Sequence, residues 1–145
     1  MENSIELSIP IVPKAQKRAR HRIVKTKDGR VFGTTYKDTG ERTEEQKFMA
    51  LLYEHKPDVL ITGPIYLGVM AYLPIPKSKS KKWQLAALMG DIRPTSKPDL
   101  DNLIKFLKDC MTGIFWKDDA QIVEYLDGTG KYYSANPRWE ITILY

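Results

Sequence analysis

The sequence lacks the residues on which disulfide-bonded and zinc-binding proteins depend. Cys110 is its one cysteine, so no internal disulfide can form. His21 and His55 lie far apart without a cysteine partner and leave no credible zinc-ligand set. No apolar run approaches about 18 residues, and the N-terminus has no basic segment followed by an apolar one. We therefore expect a cytoplasmic protein with no membrane partner and with Cys110 in its core.

The composition is that of an ordinary globular protein, with 42% hydrophobic and 28% charged residues. A length of 145 residues is enough for one hydrophobic core but not for two large ones. The chain has no internal repeat, low-complexity tract or linker. We expect a single domain that spans residues 1–145.

Charge is distributed unevenly along a chain whose net charge is +5. The basic arm, residues 14–30, has one acid against Lys14, Lys17, Arg18, Arg20, Arg22, Lys25, Lys27 and Arg30. The arm could neutralise several phosphates, or it could be a solvated loop that keeps the protein soluble. The sign reverses in the acidic segment, residues 99–127, which contains Asp99, Asp101, Asp109, Asp118, Asp119, Glu124 and Asp127 against three lysines.

Hydrophobic periodicity predicts a mixture of helices and strands. Alternating apolar residues predict strands at 5–9, 65–73 and 138–145, and short strands on either side of a turn at 117–119, the second at 121–126. Residues 22–36 could form a hairpin or a mobile loop. Helices are predicted over 43–55, from about residue 80 to Gly90, and from Pro98 to Met111. The fold class is therefore α/β (α+β), one compact domain with a small mixed sheet and about three helices.

A second basic cluster opens the middle predicted helix. Lysines at a helix N-terminus oppose the helix dipole, so an anionic partner explains them better than stability does. A solvated lysine cluster is the alternative. The cluster consists of Lys77, Lys79, Lys81 and Lys82.

Two aspartates open the segment KPDLDNLIK, residues 97–105. Taken alone, Asp99 and Asp101 have a simple explanation, because carboxylates in a first turn cap free amides and suit the helix dipole. Asp118 and Asp119 alone are ordinary turn residues. If the helix start and the turn meet in the fold, however, three or four carboxylates converge, and they need a cation.

Such a convergence would favour metal-assisted chemistry. Hard ions such as Mg²⁺ take oxygen ligands and retain water. Lys105 lies one helical turn after Asp101, where it could form a surface ion pair or stabilise charge on a phosphate in the transition state. These are the components of metal-assisted phosphodiester hydrolysis.

The segment KPDLDNLIKFLKDCMTGIFWKDDAQIVEY resembles the signature of the RusA family of Holliday junction resolvases. That signature is a KPD-x-DN-L-x-K helix followed by a D-D-x-Q-I turn and strand. PIPKSKSKKW and VPKAQKRAR resemble the basic segments of the family. The resemblance implies a RusA-like α/β fold and a homodimer without a nucleotide cofactor. It also implies an endonuclease of the kind found in prophages, which nicks four-way DNA junctions symmetrically with Mg²⁺, or with Mn²⁺ as the alternative ion, in recombination and repair.

The resemblance also implies roles for single residues. Asp99, Asp101 and Asp119 match the catalytic carboxylates that bind the metal, Asp118 adds to the metal site, and Lys105 matches the essential basic residue. Asn102 and Gln121 match motif positions for which we expect structural work. Expected contacts to the DNA backbone are Lys14, Lys17, Arg18, Arg20, Lys77, Lys79, Lys81, Lys82 and Lys131, the last being the family's lysine after the DD strand.

Two other functions stay open at this point. A non-catalytic nucleic-acid-binding protein would keep the acids as structural residues. A nuclease of the same chemistry could act on flaps, forks or RNA. Trp83 and Trp116 could wedge into a junction, although their spacing is more typical of core residues.

Overall fold

The computed structural model describes residues 3–15, 20–25, 27, 31–36 and 39–145, without the side chains of residues 20–25, 31–36 and 39–42. The strands are β1 (Ser4–Ile9), β2 (Arg20–Lys25), β3 (Val31–Tyr36), β4 (Ile65–Pro74), β5 (Ile122–Tyr125), β6 (Gly130–Ser134) and β7 (Arg138–Leu144). The helices are α1 (Thr39–Glu54), α2 (Lys81–Leu88) and α3 (Leu100–Met111), and a 3₁₀ turn covers Asp119–Gln121.

The main sheet has five strands and is built around β4. On one side, β4 pairs antiparallel with β7, which pairs antiparallel with β1. On the other side, β4 pairs in parallel first with β5 and then with β6, so that these two strands follow one another along the same edge. The mixed sheet and three helices confirm the predicted fold class.

Alternation along β4 explains its central position. Five of its side chains are buried, in every second position: Ile65, Leu67, Val69, Ala71 and Leu73. The residues between them are half-buried, so the strand is apolar on both faces, as a strand paired on both sides requires.

The helices α1 and α3 pack on one face of the sheet. Phe48 of α1 and Phe106 of α3 lie with their ring centroids 5.4 Å apart, and both contact Trp139 of β7, at 5.5 and 6.3 Å. Cys110 is buried in this core, as expected. Trp116 is also fully buried, which makes it a core residue rather than a wedge.

A stack of aromatic rings covers the end of β4 on another surface. Tyr72 of β4 stacks on Tyr132 of β6 at 5.3 Å between centroids, and the guanidinium of Arg138 lies 4.0 Å from the centre of the Tyr72 ring. Burial raises the pKa of the Tyr72 phenol, and the negative charge of Glu140 adds to the effect.

Most predicted elements are confirmed, with shifted ends. β1, β4, β7 and the helices at 81–88 and 100–111 agree with the sequence pattern, and β2 and β3 pair antiparallel, as the hairpin alternative for residues 22–36 expects. The first helix begins at Thr39, four residues before the predicted capping box. Pro98 lies before Asp99, the N-cap of α3, rather than inside the helix.

One predicted strand is wrong, and one observed strand was not predicted. Residues 113–115 form a turn, in which the Phe115 N–H donates to the Met111 carbonyl oxygen at 3.0 Å, and Trp116 forms only isolated bridges, so no strand is present here. Consecutive Phe115 and Trp116 are both buried, which an alternating strand does not allow. The strand β6, which pairs with the end of β4, was not predicted from the sequence. In the part of the chain that the structure describes, no helix is long and apolar enough to cross a bilayer.

We predict that Gly113→Ala destabilises the protein by about 1–2 kcal/mol, because Gly113 has φ +90 and a side chain there would be strained. The matched control is Gly63→Ala, at a position with open space and no positive φ, where we expect a change within about 0.5 kcal/mol. Urea unfolding of both variants measures the difference. Equal stability of the two variants would contradict the prediction.

Candidate metal centre and nucleic-acid interface

Asp99 is the N-cap of α3, yet its side chain does no capping. The Asp99 carbonyl oxygen accepts the first helical hydrogen bond from the Leu103 N–H at 3.0 Å, while its carboxylate accepts none from the helix. An N-cap aspartate ordinarily bonds the amide two or three residues later. The capping explanation therefore does not account for Asp99.

Three charged groups at this helix start are exposed and unpartnered. Asp99, Asp101 and Lys105 have exposed side chains, and Asp101 lies in the first turn of α3. Among the described residues, none of the three forms a hydrogen bond or ion pair through its side chain. The surface ion pair between Asp101 and Lys105, the simpler of their two predicted roles, is absent. The carboxylates are free to accept a ligand.

Asp118 and Asp119 are neighbours in one turn, but only the Asp118 side chain has a hydrogen-bond partner among the described residues. The Asp118 carboxylate accepts a hydrogen bond from the Ala120 N–H at 2.9 Å and caps the 3₁₀ turn. The Asp119 side chain is exposed and has no partner among the described residues. Asp119 thus resembles Asp99 and Asp101, while one oxygen of Asp118 already has structural work.

Gln121 holds this turn against the body of the domain. Its amide oxygen accepts from the Lys117 and Asp118 N–H groups at 3.0 and 2.8 Å. Its amide nitrogen donates to the Ile61 and Gly63 carbonyl oxygens at 2.8 and 3.1 Å. Because both donors and both acceptor sites are used, Gln121 has the structural role expected for it.

The two groups of carboxylates lie at opposite ends of α3. The helix has 12 residues, which makes it about 18 Å long, and Asp99 and Asp101 occupy its start. At its other end, the Trp116 indole donates to the Thr112 hydroxyl at 3.0 Å, and Asp118 and Asp119 follow shortly after Trp116.

Two further contacts fix the direction of the neighbouring strands. The Lys108 ammonium donates to the Tyr125 hydroxyl of β5 at 3.2 Å, and the Lys131 ammonium of β6 donates to the Pro98 carbonyl oxygen at 2.9 Å. The chain from β5 to β6 therefore runs from the C-terminal end of α3 toward its N-terminal end. Since Asp119 precedes β5, it lies near the end of the helix.

The expected convergence of carboxylates does not occur within one chain. In the described ranges, no group of three or more Asp, Glu, His or Cys residues is arranged to hold a metal ion. The physical reason is the length of α3, because an ion such as Mg²⁺ lies about 2 Å from each of its ligands. The metal-binding roles of Asp99, Asp101, Asp118 and Asp119 stay predictions.

The unpartnered oxygens nevertheless fit a hard divalent cation. Such ions are bound through one or two carboxylates together with water and substrate phosphate, and they do not need a preformed cage of protein ligands. Asp99 and Asp101 supply that number of carboxylates beside the positive end of the α3 dipole.

The predicted DNA contacts differ in how exposed and how occupied they are. Lys14 forms an exposed ion pair with Glu44 at 2.9 Å, the kind that contributes little to stability. Lys17 and Arg18 lie outside the described residues, as does the Arg20 side chain. The side chains of the lysines around the start of α2 are exposed, and none bonds an acid among the described residues: Lys77, Lys79, Lys81 and Lys82.

Trp83 belongs to this lysine-rich surface. The Lys79 ammonium lies 5.2 Å from the centre of the Trp83 ring, which meets Tyr133 edge-on at 5.5 Å between centroids. Ser80 accepts from the Trp83 N–H at 3.2 Å and caps α2. The surface is therefore an ordered helix start with unpaired positive charge around it.

Lys131 differs from the other predicted DNA contacts. Its half-buried ammonium donates to the Ser96 and Pro98 carbonyl oxygens, both at 2.9 Å. Arg93, which the sequence analysis missed, donates from Nε to the Lys131 carbonyl oxygen at 2.6 Å. A lone arginine in an irregular segment carries no sequence signal for such a role.

The chain matches a known protein family over most of its length. The family model for endodeoxyribonuclease RusA matches residues 9–144. The chain belongs to the RusA endodeoxyribonuclease family. This membership confirms the resemblance seen in the KPDLDNLIK helix and the DDAQI turn, and it extends that resemblance over nearly the whole chain. At the level of the family, the chain is thus a divalent-metal nuclease that cuts within DNA.

Two relatives add to this result. The chain is 38% identical over 134 residues to the protein YqaN of Bacillus subtilis (strain 168), with 90% of this chain and 89% of that protein covered. It is 37% identical over 84 residues to the crossover junction endodeoxyribonuclease rusA of Lactococcus phage r1t, with 56% and 57% covered. The phage relative agrees with the expected kinship to prophage enzymes.

We predict that Gln121→Glu destabilises the chain by about 1–3 kcal/mol, because a carboxylate would leave two carbonyl oxygens without donors. Gln46→Glu is the matched control, since it adds the same charge at an exposed position of α1, and we expect a change within about 0.5 kcal/mol. Thermal unfolding at pH 7 measures both. Equal melting temperatures for the two variants would show that the Gln121 amide does not hold the turn.

Proposed function

We propose that the protein is a Mg²⁺-dependent endonuclease that resolves Holliday junctions by paired, symmetric nicks in four-way DNA, as part of recombination and repair. The observation that carries the proposal is the set of exposed, unpartnered carboxylates at the start of α3 in a chain of the RusA family. Among the described residues these acids neither cap a helix nor pair with a base, which leaves the weak helix-dipole interaction as the structural explanation for Asp99 and Asp101.

Asp99, Asp101 and Asp119 are the proposed ligands of the ion, and Asp118 contributes the oxygen that its capping bond leaves available. A bound divalent ion would supply an activated water and charge neutralisation at the scissile phosphate. Lys105 projects from the same exposed face of α3 as Asp101, where its ammonium can stabilise the charge that develops on the phosphate.

The exposed lysines supply the electrostatic part of binding. Lys77, Lys79, Lys81 and Lys82 surround the start of α2, and Lys14 with the rest of the basic arm adds a second positive region. Contacts of this kind position a DNA backbone without reading its sequence. The proposed partner is branched DNA, which would be recognised by its shape and its phosphate backbone rather than by its base sequence.

We further propose that the active form is a homodimer in which two chains complete each metal site. The start of α3 and Asp119 lie too far apart in one chain to hold one ion. A two-fold arrangement can bring the α3 start of each chain to Asp119 of its partner and so produces two equivalent sites. Two equivalent sites suit the two equivalent strands that a paired cut requires.

We predict that Asp101→Asn abolishes cutting of a labelled four-way junction while junction affinity in EDTA stays within about twofold, because the substitution removes a metal ligand and no phosphate contact. The control is Asp58→Asn, which removes an exposed acid elsewhere in the chain. Gel assays with Mg²⁺, Mn²⁺ or EDTA, on the junction and on matching linear duplex, read both quantities. Junction binding by wild type without cutting under any metal would instead favour a non-catalytic nucleic-acid-binding protein.

The two-chain site makes a second prediction. An equal mixture of Asp101→Asn and Asp119→Asn chains, unfolded and refolded together, should recover about one quarter of wild-type nicking, because half the dimers are mixed and each of these has one intact site. Each mixed dimer should nick one strand only, so nicked junctions should accumulate without resolved duplexes. Each variant refolded alone is the control. No recovery in the mixture would place the whole site within one chain.

A further inference from the structure

The segment that carries Asp99 into α3 has no regular secondary structure. Residues 91–99 join α2 to α3 through bends and loops, and Asp99 forms no side-chain hydrogen bond that would hold it in place. Leu100, between the two aspartates, is half-buried against the core, and the fully buried apolar face of α3 begins at Leu103. Neither contact fixes the orientation of the peptide plane immediately before Asp99.

Lys131 supplies that interaction. Its ammonium donates to the Pro98 carbonyl oxygen and to the Ser96 carbonyl oxygen, both at 2.9 Å. The Pro98 carbonyl belongs to the peptide plane that ends at the Cα of Asp99. A charged donor on this oxygen therefore fixes the plane from which the Asp99 side chain projects.

A second bond holds the backbone of Lys131 itself. The Arg93 Nε donates to the Lys131 carbonyl oxygen at 2.6 Å, and the Arg93 guanidinium lies 3.8 Å from the centre of the Tyr132 ring. Gly130 is part of this arrangement, because a Cβ there would approach the Arg93 Nη2 to 2.9 Å. The loop and β6 thus exchange hydrogen bonds: Arg93 of the loop donates to β6, and Lys131 of β6 donates to the loop.

We propose that Lys131 is a positioning residue for the metal centre, which orients the Asp99 carboxylate through the Pro98 carbonyl instead of contacting the DNA backbone. The inference rests on the proposed function of Asp99 as a metal ligand. It reassigns Lys131, because two of its three N–H donors are used by main-chain oxygens of its own chain. The exposed lysines around α2 have no such partners among the described residues.

The first test measures the binding of Mn²⁺ in the absence of DNA. The electron paramagnetic resonance signal of the free ion reports how much Mn²⁺ is unbound. Lys131→Met should weaken Mn²⁺ binding about 10- to 100-fold, the range found when a group that orients a metal ligand is removed. Affinity for a four-way junction in EDTA should change less than about twofold, with an unchanged salt dependence. A loss of junction affinity with a lower salt slope and normal Mn²⁺ binding would show a phosphate contact and overturn the proposal.

Two control variants distinguish the loss of the Lys131 hydrogen bonds from a general loss of positive charge and from a folding defect. Lys56→Met removes the same charge from an exposed lysine that bonds only the Tyr53 hydroxyl, and it should bind Mn²⁺ like wild type. Lys131→Gln is a second neutral variant with a more polar side chain than methionine. It should weaken Mn²⁺ binding as much as Lys131→Met does, because it also lacks the ammonium. Normal Mn²⁺ binding by either cooperatively folded Lys131 variant overturns the proposal.

The single buried cysteine allows a chemical rescue. Because Cys110 is buried, Lys131→Cys introduces the accessible thiol of the chain, and 2-bromoethylamine converts that thiol to a side chain that ends in an ammonium again. The alkylated protein should recover Mn²⁺ binding to within about threefold of wild type treated in the same way. Alkylation with iodoacetamide, which adds a neutral group, should not restore it. Equal recovery with both reagents would overturn the role of the ammonium.

Hydrogen exchange tests the anchoring without metal or cleavage. Amides of residues 95–101 should exchange at least about tenfold faster in Lys131→Met, while those of β4 stay unchanged. Unchanged exchange in residues 95–101 overturns the inference whatever the enzyme does. If wild type neither binds Mn²⁺ nor cuts junctions, the proposed function fails, and faster exchange would then show that Lys131 is an anchor of the loop and no part of a metal site.

Discussion

Burial of one face of α3 determines where the chemistry of this protein can lie. Leu103, Leu107 and Met111 are fully buried and repeat at four-residue spacing, so they commit one side of the helix to the core. Asp101 and Lys105 are also four residues apart, and each lies two residues before one of these buried leucines. They therefore lie on the opposite side of the helix and face outward. Hydrophobic burial therefore presents these charged groups to solvent. Among the residues that the structure describes, no hydrogen bond or ion pair of their side chains holds them there.

The elements that could be predicted from sequence are those whose signal is local. The helix at residues 100–111 and the strand at 65–74 each bury residues at one clear period, and both agree with the structure. The strand β6 is short and begins with Gly130, and its stability comes from parallel pairing with β4, a contact some sixty residues distant in sequence. The apolar run at residues 113–117 predicted a strand, but it packs as a turn followed by a bridge, with Phe115 and Trp116 both buried. Non-local pairing and turn packing leave no periodic trace.

The residues of the candidate site could likewise be predicted from the sequence, but their arrangement in space could not. Residue types and spacing are local, so the carboxylates and Lys105 could be singled out from the sequence, and family membership supports that choice. Their separation along α3 is not local, because it depends on how the segment after the helix folds back through Thr112 and Trp116. The lysines show the same limit. Lys131 and Lys79 count equally as positive charge, yet one bonds two carbonyl oxygens and the other lies over the ring of the half-buried Trp83.

Division of a metal site between two chains would have an energetic consequence for assembly. In a single chain, Asp119 and Asp101 lie toward opposite ends of α3, so their repulsion in water and physiological salt is only a small fraction of a kcal/mol. Association would bring these carboxylates together and would raise the repulsion. A divalent cation offsets it, so the ion would bind the dimer more tightly than the separate chains. By linkage, the ion must strengthen the dimer by the same factor. The solvated half-sites are therefore compatible with a stable chain, and cutting would require the chains, the ion and the DNA together.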